Sequence, residues 1–259
     1  MTRRVLLTGA AGYLGVVLRR SLCTDVELLR SSDIVETDGQ YANEEIVLAD
    51  LTDPGAVDAL VQGVDAIVHF GGVSTDRDFQ SVYTANILGT QHLYEAARAH
   101  RVKRIVFASS VHAVGFYKQT EVIDSKVPLR PDSFYGLSKA FGESLAQLYW
   151  DKHQLETVSI RIGSCLPAPK DRRHLYTWLS FDDLCLLVKR ALSAARVEHT
   201  IVYGMSKNSC SFWDNRQAQH LGYRAKASAD IHLDSITMEP HGGNLEDVAV
   251  KYQGGVFAR

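Results

Sequence analysis

The feature that most limits what this chain can fold into is Val5-Leu6-Leu7-Thr8-Gly9-Ala10-Ala11-Gly12-Tyr13-Leu14-Gly15, an apolar run that meets three glycines spaced three apart and then a helical pattern. It reads as strand, phosphate-binding turn and helix. Glycines in these places let the backbone turn tightly, let a pyrophosphate approach, and let the new helix press on the sheet, with the first helical N–H groups facing the anion. A glycine triplet alone is a weak signal, since a loop that merely joins a strand to a helix can carry one. The context strengthens it. Asp33 lies eighteen residues beyond Gly15, after the next strand candidate (Val26 to Arg30), near the spacing of a ribose-binding carboxylate. Such a carboxylate accepts from a ribose 2′-hydroxyl and repels a 2′-phosphate, so NAD is expected over NADP; Arg30 is the one nearby cation that could offset it.

Further apolar runs at Ile46 to Leu48, Ala66 to Phe70, Ile105 to Ala108 and Val158 to Ile160 are short and lack strict alternation, the pattern of strands covered on both faces. Helical patterns lie between them: Leu14 to Leu22, Pro54 to Val61 with Asp53 as N-cap, Val82 to His100, and Phe134 to His153. This alternation predicts an α/β fold, a doubly wound parallel sheet of the Rossmann type. Right-handed crossovers then bring Asp33, Asp50, Gly71, Gly72, Ser109 and Ser110 to the edge where a ligand binds. Past Arg161 the pattern weakens to a Pro-containing loop, a helix near Phe181 to Ala195, a strand near Ile201 to Tyr203 and a mixed tail. One domain over 1–259 is expected, binding its cofactor mainly through 1–163 and its substrate through a small part at about 164–180 and 204–259.

The charge balance narrows the partner. A formal charge of -2 offers no basic field for a polyanion, so nucleic acid loses its main electrostatic attraction and a small molecule is expected. Cys23, Cys165, Cys185 and Cys210 are scattered and the ten histidines show no ligand spacing, so neither a disulfide framework nor a metal site is expected. No stretch has the length of a secretory or membrane-spanning segment, which predicts a soluble, cytoplasmic protein without a membrane partner.

Tyr135-Gly136-Leu137-Ser138-Lys139 sets a phenol and an ammonium four residues apart, on one face of a helix. A free phenol with a pKa of about 10 is a poor base at neutral pH, but a neighbouring lysine and a cationic nicotinamide both favour the phenolate. The pair can therefore supply a general base. Taken alone, such a pair is more often a partly buried tyrosine beside a solvated lysine, and the surrounding motifs reverse that reading. Ser110 ends the preceding strand, where its hydroxyl can meet the same reacting carbonyl or alcohol.

Together these motifs resemble the extended short-chain dehydrogenase/reductases over roughly residues 4 to 163. Gly71-Gly72-Val73-Ser74, Asn86-Ile87-Leu88-Gly89, Arg161-Ile162-Gly163-Ser164-Cys165, Thr177-Trp178, Trp213-Asp214-Asn215 and Tyr252-Gln253-Gly254-Gly255 are most similar to the uronate dehydrogenase branch, and carry the resemblance over nearly the whole chain. The resemblance implies NAD as cofactor, held by Gly9, Gly12, Tyr13, Leu14, Gly15, Asp33, Asp50, Leu51, Gly71, Lys139 and Cys165. It implies Tyr135 as proton acceptor, Lys139 on the nicotinamide ribose, and Ser110 on the reacting hydroxyl. Ser74, Ser110, Val111, His112, Ser164 and Arg173 would face a sugar acid. At position 111 the family motif has asparagine, so an amide contact to the substrate is expected to be missing. Taken on their own, His112 reads as a packed polar residue and Arg173 as part of a surface basic cluster with Lys170 and Arg172.

The activity implied is oxidation of a hexuronic acid, glucuronate or galacturonate, at C1 to the aldarolactone, with a homo-oligomer possible. A nucleotide-sugar epimerase or dehydratase shares the cofactor cassette but needs a larger C-terminal part and cationic groups for a diphosphate. A module that binds NAD without turnover has no use for Ser110, Tyr135 and Lys139 together.

Overall fold

The opening apolar run forms β1 (Arg4–Thr8), buried from Val5 onward, and α1 (Tyr13–Leu22) follows across the glycine turn. A computed structural model describes residues 4–236 and 246–259; positions 1–3 of the expected cofactor-binding part and 237–245 of the expected substrate-binding part lie outside the described residues. The chain continues through β2 (Leu28–Asp33), β3 (Glu44–Leu48), α2 (Pro54–Val61) and β4 (Ala66–His69). A short α3 (Phe79–Val82) leads through a π-helical turn at Tyr83–Leu88 into α4 (Gly89–Ala99), then β5 (Arg104–Ser110) and a 3-10 turn at Val111–Val114. Next come α5 (Phe134–His153), β6 (Glu156–Ile162), β7 (Ser164–Cys165), α6 (His174–Thr177), β8 (Trp178–Leu179), α7 (Phe181–Ser193) and β9 (His199–Gly204).

Seven strands make one sheet in the order β3-β2-β1-β4-β5-β6-β9, and every pairing is parallel. The fold is thus the expected doubly wound sheet. Its order reverses between β1 and β4, so a crevice opens outside their C-terminal ends. Thr8 pairs with both Ser32 and His69, which brings Gly9, Asp33 and Phe70 to one level at that crevice, with Gly71 one residue beyond. α1 and α7 cover one face through Leu18, Leu22, Leu184, Leu187 and Val188; α2, α4 and α5 cover the other through Val57, Leu60, Leu93, Ala97 and Leu145. Each of these leucines and valines contributes about 1.5 to 3 kcal/mol by leaving water. Asp53 caps α2 as expected, accepting from the N–H of Gly55 and Ala56, with Pro54 in the first helical position, where no N–H is needed.

Two departures from expectation have a specific side-chain cause. The second strand starts at Leu28, not Val26, and runs to Asp33. The Val26 carbonyl accepts from Asn43 Nδ2 at 2.8 Å, so a side chain holds it in the loop, while the polar Ser31 stays in the strand because its hydroxyl donates to Glu44 at 2.6 Å. The helix expected over Val82 to His100 is interrupted by the π turn, within which Asn86 is buried. Asn86 Oδ1 accepts from the Val73 N–H at 2.8 Å, and its Nδ2 donates to the Val73 carbonyl and to Ser138 Oγ, both at 3.0 Å. Such single π turns widen a helix locally and let a side chain reach across, often at functional sites. Among the described residues no helix is long and apolar enough to cross a membrane.

Candidate active site

A cavity of about 950 Å³ lies along the C-terminal ends of the strands. That is the upper end of the ~300 to 1,000 Å³ usual for ligand sites, room enough for an extended cofactor and a small co-substrate. All the residues singled out in the sequence line it: Gly9, Gly12, Tyr13, Leu14, Gly15, Asp33, Asp50, Leu51, Gly71, Ser74, Ser110, Val111, His112, Tyr135, Lys139, Ser164, Cys165 and Arg173.

At one end the site is built from backbone. Gly9 has φ +73, and a Cβ there would sit 2.5 Å from the Phe70 carbonyl; a Cβ on Gly15 would collide with the Gly9 carbonyl oxygen. Neither position admits a side chain, and the loop is drawn in tightly below the N-terminus of α1. A Cβ at Gly12 would meet only the Gly9 oxygen, at 3.2 Å, which leaves the crevice side open for an anion to approach the helix end. Asp33 Oδ2 accepts from the Ala11 N–H at 3.0 Å and Oδ1 from the Ile34 N–H at 2.8 Å, fixing the carboxylate beside the glycine turn. Arg30 is turned away: it pairs with Glu45 at 2.9 Å and donates to the carbonyls of Leu60 and Gln62. The cradle and the carboxylate therefore fit an adenine dinucleotide whose ribose hydroxyls are free of phosphate.

In the middle of the cavity, Tyr135 and Lys139 project from the first turns of α5, which Ser133 caps by accepting from the Gly136 N–H at 3.0 Å. Lys139 Nζ lies 5.4 Å from the centre of the Tyr135 ring and 5.2 Å from that of Phe107. Burial pushes the Tyr135 phenol up to about 12, opposed by the neighbouring Ser110 hydroxyl, and pushes the Lys139 ammonium down to about 8. The Ser109–Ser110 end of β5 is anchored from behind. Ser109 Oγ donates to Glu143 at 2.6 Å, and Arg161 grips the same carboxylate with two N–H groups at 2.9 and 2.8 Å. Both members of this pair are buried, so each satisfies a charge the other could not leave bare.

The far end is built from side chains of distant segments. Ser164 Oγ bonds Thr177 Oγ1 at 2.8 Å, and Arg173 Nη2 donates to the Gln253 carbonyl. Arg173 Nε is buried with no protein partner among the described residues. Burial holds the Arg173 guanidinium below its ordinary range, against the pull of Asp171 and Asp132. His112 lies under Phe257, its Nδ1 2.7 Å from Asp132. Val111, where an amide was expected to be missing, is 3% exposed and belongs to an apolar cluster with Val114, Tyr117, Ile123, Tyr203, Phe212 and Trp213. A valine is well housed there. Ser74 is exposed at the rim, and Cys165 is buried, its thiol pushed up by burial and so unreactive.

Three residues of this site were given no role from the sequence: Asn86, Asp132 and Phe257. Asn86 opens one of the segments that carry the resemblance but lies inside a helical pattern that gives it no task, and Phe257 lies near the chain end with no local signal. Asp132 carried a faint one, an acid directly before the Ser133 cap of the Tyr-x-x-x-Lys helix.

Residues 5–179 match the model of the NAD dependent epimerase/dehydratase family. The chain is 52% identical to a uronate dehydrogenase of Pseudomonas syringae pv. tomato, over 98% of this chain and 92% of that protein. Its structure superposes on glucuronic acid dehydrogenase from Chromohalobacter salexigens with a TM-score of 0.97 at 49% identity, covering 100% of this chain and 97% of that one. A mutant uronate dehydrogenase from Agrobacterium tumefaciens, complexed with NAD, superposes with a TM-score of 0.96 at 44% identity, covering 100% and 97%. With a glycine cradle, a buried tyrosine and lysine, and likeness over the full chain, this protein belongs to the NAD dependent epimerase/dehydratase family and, within it, to the uronate dehydrogenases.

Proposed function

We propose that the protein oxidises a hexuronic acid, glucuronate or galacturonate, at C1 to the aldarolactone, with NAD as cofactor. The observation that carries this reading is Arg173, a guanidinium at the substrate end of the cavity whose buried Nε has no protein partner among the described residues. Leaving such a donor unsatisfied costs about 1 to 3 kcal/mol, so a carboxylate that draws the guanidinium towards the cavity and accepts from it offsets that cost. A planar guanidinium can hold a carboxylate through two parallel hydrogen bonds, which fixes direction as well as position.

With the acid group on Arg173, the anomeric end of the sugar is directed to Ser110 and Tyr135. Ser110 orients the C1 hydroxyl, and Tyr135 accepts its proton. The cationic Lys139 beside the phenol favours the phenolate against the burial that opposes it, as does a positively charged cofactor ring. Bound NAD supplies the acceptor for the hydride that leaves C1. Loss of that hydride and of the hydroxyl proton turns the cyclic hemiacetal carbon into a lactone carbonyl. Ser74, His112 and Ser164 line the remaining wall and bind the sugar hydroxyls.

Purified protein, NAD and a panel of uronic acids, neutral aldoses and nucleotide sugars test this by the absorbance of reduced cofactor. Reduction with free uronates and little with aldoses is expected. Turnover confined to nucleotide sugars would replace the reading with the epimerase or dehydratase one, and tight NAD binding without turnover would leave only a binding module.

A further inference from the structure

His112 is held on three sides. Asp132 Oδ2 accepts from its Nδ1 at 2.7 Å, the Phe257 ring stacks on it with centroids 3.9 Å apart, and the Tyr135 ring meets it edge-on at 5.7 Å. The Asp132 side chain is wholly buried where three segments of the site converge. Its carboxylate occupies the space that a side chain on Gly115 or Gly254 would need, and a Cβ on Gly136 would come within 3.0 Å of it. The 3-10 turn after β5, the first turn of α5 and the C-terminal segment thus all close on this one group. Its other oxygen accepts from Ser133 Oγ at 2.9 Å, and its backbone N–H donates to the His112 carbonyl at 3.3 Å.

An ionised carboxylate can only accept, so the hydrogen bond to Asp132 puts the imidazole proton on Nδ1. In the neutral ring Nε2 is then a bare acceptor. It has no protein partner among the described residues, and His112 lines the cavity. A lone pair in that place attracts a hydroxyl and repels a carboxylate, the opposite of what Arg173 offers. We propose that Asp132 is a positioning residue: it locks His112 in the Nδ1–H tautomer, so that Nε2 accepts from one hydroxyl of the sugar acid and the carboxylate is left to Arg173. This rests on the substrate reading given above and adds to it how the two polar anchors divide their work.

The direct test is the ring ¹⁵N spectrum of His112 in the NAD-loaded wild-type protein at neutral pH. A protonated Nδ1 and a bare Nε2 whose signal moves on adding glucuronate are expected; a proton on Nε2 would overturn the proposal. The kinetic test is Asp132→Asn, whose amide can also donate to Nδ1 and so releases the tautomer. It should lower kcat/KM for glucuronate about tenfold, chiefly through KM, with NAD affinity within about twofold of wild type. Because Asp132 acts through His112, the double variant with His112→Ala should be no worse than His112→Ala alone, within about twofold. Losses that multiply would give Asp132 an independent structural role and end the proposal while wild-type uronate oxidation still stands. Absence of that oxidation would instead remove the functional reading beneath it. Should Asp132→Asn fail to fold, the wild-type spectrum decides.

Discussion

The two ends of the cavity are made in different ways. The cofactor end comes from Gly9 to Gly15 and Asp33, a short stretch in which backbone N–H groups and absent side chains do the shaping. The far end, to which the proposed function assigns the substrate, draws Ser110, His112, Asp132, Ser164, Arg173 and Phe257 from separate parts of the chain, and is built largely from polar side-chain atoms inside the protein. A backbone cradle admits few changes, because a Cβ at Gly9 or Gly15 has nowhere to go. A side-chain wall can be altered one residue at a time, as Val111 illustrates. If the far end holds the substrate as proposed, its selectivity can be changed one side chain at a time.

If the two ends are separable, substitutions should divide cleanly between cofactor binding and turnover. The largest effect is expected from Tyr135→Phe, which keeps the ring and removes the acid–base oxygen: turnover should fall about 10² to 10⁴-fold while calorimetry finds NAD binding nearly unchanged. Loss of NAD binding in that variant would show the two ends to be coupled. Lys139→Met touches both ends and should impair turnover and NAD affinity together.

Lys139→Met should also stabilise the free protein. The ammonium, about 8 in the folded state against an ordinary 10.5, is disfavoured by burial, so its burden on stability is full below pH 8 and fades as pH rises towards 10.5. Urea melts at pH 7 should show a gain of about 3 kcal/mol in the variant, shrinking as the pH is raised. An equal stability of the two proteins at pH 7 would mean that the ammonium is compensated in the fold.

Arg173→Ala should lower efficiency with uronates about 10 to 100-fold, the worth of a charged hydrogen bond, and leave NAD affinity alone. Lys170→Ala, exposed in the same loop, should stay within about twofold of wild type. Similar losses from both would return Arg173 to the surface cluster. Asp33→Asn should narrow the preference for NAD over NADP by about tenfold through loss of one charge, with no change in which sugars are oxidised.

The same contrast governs how much was legible in the sequence. Glycine spacing, Asp33 and the short apolar runs act through local geometry, so the sheet, its switch point and the cofactor crevice followed from pattern. The start of β2 did not, because Asn43 reaches back to hold Val26 in a loop. The π turn was equally hidden, since it depends on Asn86 meeting Val73 and Ser138 across space. Arg173 and His112 each had a bland reading that was the better one until a family resemblance singled them out. Asp132 was missed because its meaning comes from Gly115 and Gly254, far from it in the chain and brought together only by folding.

On the proposed function, C1 of a free uronate gives up its hydrogen at this site. Glucuronate deuterated at C1, incubated with the wild-type protein and NAD, tests it through the mass of the reduced cofactor. Reduced cofactor heavier by the one deuterium, alongside a lactone product that has lost it, is the predicted result. Deuterium retained in the sugar, with the cofactor reduced from another carbon or not reduced at all, would contradict it.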